Sequence, residues 1–134
     1  MVLKSEDIKE YVEKIGYKLD PDSAIWGTSM PSGFSYALFG SVSVLDMNYN
    51  VLQMNETEII VIPVSNTSGK ISQGDFLVIP EEDVESVKFK KGMLGFTLEI
   101  LTSQGELKFK VRKAMLGASW HKENLGNVLM KFEQ

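Results

Sequence analysis

The chain has 134 residues, 43% of them hydrophobic, with a formal net charge of −4 and no cysteine. That length suits one domain able to bury roughly two-thirds of its unfolded surface, so a core can stand without disulfides or a structural metal. Zero Cys excludes disulfide frameworks, thiolate zinc sites and Cys nucleophiles, and it favours a reducing, cytoplasmic setting.

The opening residues Met1-Val2-Leu3-Lys4 lack the apolar region and cleavage site of a secretory signal, so export is not expected. Ser5 suits an N-cap, and Ile8, Tyr11, Val12 and Ile15 recur at helical spacing, which predicts a helix over about 6–15 stopped by Gly16. From Asp20 to Gly33 the Pro, Asp, Ser and Gly content reads as a connector, with Trp26 as an apolar anchor under the helix. Strands are expected over 34–39 and 42–54, with a bend at Gly40. In the second, Met47, Tyr49 and Val51 alternate with Asp46, Asn48 and Asn50, implying one buried and one wet face. Leu52 and Met54 break that phase and suggest a bulge.

Asn55-Glu56-Thr57 reads as a hairpin turn before a well-covered strand over 58–64, whose Pro63 places the far end at an edge. No apolar run approaches the roughly 20 residues of a membrane span. A polar loop over 65–75 leads to a short strand over 76–79. Strands over 84–91, 96–103 and 106–113 then form a meander. Val87, Phe89, Phe96, Leu98, Ile100, Leu107, Phe109 and Val111 share its buried face, and the alternation gathers Lys88, Lys90, Lys108, Lys110 and Arg112 on the exposed one, answered in part by Glu99. A closing helix follows Gly117 and Ser119, with Trp120, Leu125, Val128, Leu129 and Phe132 on its apolar side. Gly126 inside it costs about 1 kcal/mol relative to Ala, a cost that close packing on a strand would justify. The expected division is 1–32 as helix and connector, packed on a domain spanning 33–134.

Charge is segregated along the chain: residues 1–87 hold 5 Lys/Arg and 14 Asp/Glu, a net −9, while 88–134 hold 9 and 4, a net +5. Such polarity steers encounters with charged partners.

Catalytic chemistry finds little support. His121 is the sole histidine, and although His121-Lys122-Glu123 has the form used by zinc deaminases, the cysteine ligands do not exist. Asp46 to Asn50 starts like a calcium loop, but Val51 stands where Gly is required and Thr57 where Glu is required. Ser68-Gly69-Lys70 lacks the rest of a phosphate loop. Glu81, Glu82, Asp83 and Glu85 read as a solvated turn. The sequons Asn55-Glu56-Thr57 and Asn66-Thr67-Ser68 carry no weight without secretion. Val87 to Lys91 and Leu107 to Lys110 interleave aromatics with cations, as single-strand nucleic-acid binders do. In a strand, however, Phe89 and Phe109 point away from their lysines, so nucleic acid is not an expected partner.

About seven strands in meanders followed by one helix carrying Trp120 is an order that resembles the pleckstrin-homology-like fold. More narrowly, Phe76 to Pro80 with Asp83 to Val87, and Trp120 to Phe132, make it look like the small bacterial pleckstrin-homology domains of the YokE-like kind. The resemblance covers about 33–132. It implies a mainly β (α+β) fold: a partly open barrel of two near-orthogonal sheets, a C-terminal capping helix, and here an extra N-terminal helix. It further implies a scaffold that binds proteins, peptides or lipids without catalysis, cofactor or metal. The phosphoinositide mode of many eukaryotic members is not carried over, because Leu19 to Gly69 holds no Lys or Arg. The expected function is a binding module for protein–protein interaction or self-association. The alternative is a peripheral anionic-lipid binder that uses the same five cations.

Overall fold

The computed structural model describes residues 3–30, 49–65, 68–72 and 76–132. The strand expected over 34–39, the first part of that over 42–54, and portions of the 65–75 loop lie outside those residues. Helix α1 spans Ser5–Lys14. Lys4, and not Ser5, occupies the N-cap, and the Asp7 carboxylate accepts the Lys4 N–H at 3.1 Å, which is the returning half of a capping box. At the other end Gly16 takes φ 92°, Tyr17 N–H donates to the Val12 carbonyl and Gly16 N–H to that of Glu13. This double bond pattern stops the helix and needs the left-handed backbone that glycine adopts without strain.

Seven strands follow: β1 (Ala24–Met30), β2 (Tyr49–Met54), β3 (Glu58–Val64), β4 (Leu77–Pro80), β5 (Val84–Lys91), β6 (Gly95–Thr102) and β7 (Gly105–Arg112); helix α2 (Ser119–Phe132) closes the chain. All pairings between them are antiparallel, in the order β4-β3-β2-β1-β7-β6-β5. The outermost strands, β4 and β5, are joined only by a 3₁₀ turn, Glu81–Asp83. In a flat sheet six inter-strand spacings would hold them about 29 Å apart. Four peptide steps reach at most about 15 Å. The sheet must therefore curl until its edges converge there, giving the mainly β, partly open barrel consistent with a pleckstrin-homology-like layout. No helix among the described residues is long and apolar enough to cross a membrane.

Among the described residues the seven strands form one continuous hydrogen-bonded sheet. β1 pairs with β2 over Ala24–Thr28 and with β7 over Thr28–Met30. The connector reading of 20–33 is thereby corrected over Ala24–Met30, which is the central strand of the sheet. The small polar composition of Gly27-Thr28-Ser29 misleads because strand pairing on both flanks, not local propensity, sets the backbone there.

Both faces of the β1–β3 half are covered. Inward, Ile25, Leu52, Met54, Ile59, Val61, Leu98, Ile100, Leu107, Phe109 and Val111 meet Leu125 and Val128 of α2. Outward, Val51, Ile60, Ile62 and Val64 meet Ile8, Tyr11 and Val12 of α1, with Trp26 and Trp120 packed into the same cluster. This overturns two expectations for β2. Its supposed wet face is buried, since Asn50 has the parity of the inward Leu52 and Met54 while Val51 lies under α1, and no bulge occurs, since the register runs unbroken from Tyr49↔Val64 to Met54↔Ile59. The irregularity lies instead in β5, between Val84 and Ser86.

Helix α2 is fastened to β1 by a ladder of side chains. His121 Nδ1 accepts the Trp26 N–H at 2.9 Å, Asn124 Nδ2 donates to the Ala24 carbonyl at 3.0 Å, and Asn127 Nδ2 to that of Asp22 at 2.8 Å. Lys131 Nζ ends the row on Asp20 Oδ2 (3.0 Å), Ser23 Oγ and the Met54 carbonyl. Residues two apart in a strand offer their backbone groups to one edge. These are thus the groups of β1 and its lead-in left unpaired where β7 diverges beyond Thr28↔Lys110.

Gly126 does not pack on a strand: it is exposed, and a Cβ there would meet nothing within 4 Å. Gly95 is the opposite case, with φ 156° and a notional Cβ running into the Val111 carbonyl. We expect Gly126→Ala to raise stability in urea by about 1 kcal/mol, and Gly95→Ala to lower it by about 3 kcal/mol through loss of the β6–β7 start.

Candidate functional site

Cross-strand register sets the cationic face. One row runs Lys88–Glu99–Lys108–Met30 and the next Lys90–Thr97–Lys110–Thr28, while Arg112 lies opposite Gly95. Partners in register project from the same side of a sheet, so the five cations do share one surface. Their alternates turn inward: Phe109 is buried, and Phe89 packs on the core with its ring edge-on to Phe96. Among the described residues of β5 and β7, no aromatic ring therefore shares the face of those lysines.

The face is only partly neutralised. Glu99 lies between two lysines, 3.3 Å from Lys90 and 3.8 Å from Lys108, and Lys108 also reaches Glu106 at 3.8 Å. Pairs this exposed contribute at most about 1 kcal/mol each. Lys88, Lys110 and Arg112 form no ion pair among the described residues. Glu106 shares the outward phase of Lys108 and Lys110, so the alternation that gathers the cations also sets a carboxylate beside Lys108.

Apolar groups surround these cations. Met30, Tyr49 and Leu101 are part-exposed in the sheet, and the β5–β6 turn presents Met93 at 94% and Leu94 at 65% exposure. A shallow groove of about 280 Å³ runs between Met30, Met93, Leu94, Phe96 and Lys110. The sequence shows a Met-Leu pair between two glycines that join two strands, but not which way that hairpin projects.

Other candidates sit in ordinary structural roles. Asn50, in the segment likened to a calcium loop, is buried in β2 and donates to Ser29 Oγ at 2.8 Å. Glu81 and Glu82 are exposed in the 3₁₀ turn, and among the described residues no three His, Asp or Glu gather as a metal site. Asp20 is balanced by opposing forces: burial pushes its carboxyl up, but the Glu56 N–H and the Lys131 ammonium outweigh that and hold it below its usual value.

His121 is fully buried with both nitrogens committed. Nδ1 must be bare to accept from Trp26 N–H, and Nε2 must carry the proton to donate to the Arg112 carbonyl. One neutral tautomer satisfies both. Burial lowers its affinity for a second proton, against the opposing pull of the Arg112 carbonyl, leaving the pKa below the ordinary 6.5. Comparison with protein-family models, with curated proteins and with solved structures finds no match for this chain.

Just below pH 6.5 the unfolded chain thus binds more protons at His121 than the folded one, so stability falls as pH drops through that window. Chemical denaturation from about pH 7 to about pH 5.5, above the carboxylate range, should show this decline. His121→Gln should be less stable at neutral pH by about 1–3 kcal/mol and should lose the decline.

Proposed function

We propose that the chain is a non-catalytic binding module that receives an acidic protein surface, on a partner or a second copy of itself, against the outer face of β5–β7. The supporting observation is the set of Lys88, Lys110 and Arg112, exposed on a packed sheet and without ion pairs among the described residues. Fixed side-chain origins lower the ordering cost of association. The face is preferred to a strand edge, since β5 carries a bulge and Lys88, Lys90 and Lys91, devices that discourage edge-to-edge pairing. No role for a cofactor or metal follows from this reading. Kinship with bacterial YokE-like pleckstrin-homology domains and a cytoplasmic setting belong to the same proposal, resting on the barrel layout and the lack of Cys.

A second reading, an anionic lipid surface, is favoured by one observation: the exposed Met93 and Leu94 stand next to Lys90 and Lys91.

Lys108 is already held by Glu99 and Glu106, so charge reversal is made at Lys88→Glu with Lys110→Glu. This double variant should abolish salt-sensitive self-association in sedimentation velocity or co-purification of an acidic protein from the native host. Glu99→Gln, which frees Lys90 and Lys108, should strengthen the same interaction. Binding indifferent to all three substitutions would exclude this face.

A further inference from the structure

The turn between β5 and β6, Gly92-Met93-Leu94-Gly95, is closed by a 2.7 Å bond from Gly92 N–H to the Gly95 carbonyl. Its two apolar side chains contribute nothing visible to the core, since Met93 is 94% exposed and Leu94 65%. Single exposed apolar residues are ordinary. Two adjacent ones at the tip of a hairpin are not accounted for by the fold.

Their surroundings are cationic. Lys90 and Lys91 precede the turn, Lys110 and Arg112 stand on β7, and Lys113 follows, all exposed. No Asp or Glu occurs between Val87 and Leu98 or between Leu107 and Lys122. A projecting apolar tip with a basic collar needs a partner that yields to it and is acidic around the point of entry. A fluid bilayer interface containing anionic lipids offers both, because apolar side chains enter the headgroup–acyl boundary while cations remain among the headgroups. A rigid flat protein surface would touch the tip and leave the collar unmet.

We propose that the β5–β6 turn is a membrane-inserting finger: Met93 and Leu94 enter the interface of an anionic bilayer, and Lys90, Lys91, Lys110, Arg112 and Lys113 bind its headgroups. This rests on the second reading above and sharpens it from surface adsorption to insertion at a stated place.

The test is cosedimentation of the full chain with vesicles of mixed phosphatidylserine and phosphatidylcholine, against phosphatidylcholine alone, at low and physiological salt. The wild-type chain should bind the acidic vesicles and not the neutral ones. Met93→Ser with Leu94→Ser, at positions the core does not use, should retain the circular dichroism of the parent and weaken binding at least about tenfold. Lys91→Glu with Lys110→Glu should remove it. A dansyl group on Cys introduced by Leu94→Cys should shift to shorter wavelength only with acidic vesicles. Binding that the double serine variant leaves unchanged would overturn insertion while sparing the lipid reading. No vesicle binding by the wild-type chain would overturn both, and an acidic protein captured through the tip in that case would assign it to a protein pocket instead.

Discussion

The arrangement depends on how β1 is held. A central strand needs both edges satisfied, yet β7 accompanies β1 only over Thr28–Met30. From Trp26 back to Asp22 the open edge is taken up by His121, Asn124 and Asn127, spaced three apart along α2. Side chains at that spacing lie along one helical stripe. Polar groups that would be out of place in an apolar helix face are thereby the groups that dock it. Without them, buried N–H and C=O groups would each cost about 1–3 kcal/mol.

That docking allows the barrel to stay open without exposing its core. The sheet curls because Glu81–Asp83 must join opposite edges, and α2 fills the inside with Leu125 and Val128. Its first turn also reaches the outer layer, where Trp120 Nε1 donates to the Leu3 carbonyl at 2.8 Å and ties α1 down. α1 covers the outer surface of β2 and β3. The outer surface of β5–β7 has no such cover among the described residues, and it is there that the cations lie.

The last third was legible because each strand there repeats one phase, with Phe, Leu, Ile and Val inward and Lys, Thr and Glu outward, so period alone assigns the face. α1 was legible for the same reason, to within one residue. β1 was not, because Asp20-Pro21-Asp22-Ser23 and Gly27-Thr28-Ser29 carry turn chemistry. Its extended state comes from β2, β7 and α2, the last about a hundred residues distant in sequence. β2 and β3 were half legible: their apolar content is plain, but a strand buried on both faces shows no alternation, and the missing phase imitates a bulge. For His121, nothing in its sequence neighbours announces the bond to Trp26. Of the candidate site, the lysines could be read and the tip could not. Whether a turn residue is exposed depends on which way the hairpin projects.

The segregation of charge along the chain becomes a segregation in space. α1, with Glu6, Asp7, Glu10 and Glu13 against Lys9 and Lys14, lies over one half of the outer sheet surface, while Lys88, Lys90, Lys108, Lys110 and Arg112 occupy the other. At physiological salt charges are screened over about 8 Å, so a distant body senses little of either half. A body at contact range senses both. An acidic surface is attracted at β5–β7 and finds no such net attraction at α1, whose carboxylates slightly outnumber its lysines, so the contrast favours one orientation. Net charge alone, at −4, would predict avoidance of any acidic surface. The sheet converts an acidic protein into one with a basic side, which is why the placement of its charges, and not their sum, governs what it can approach.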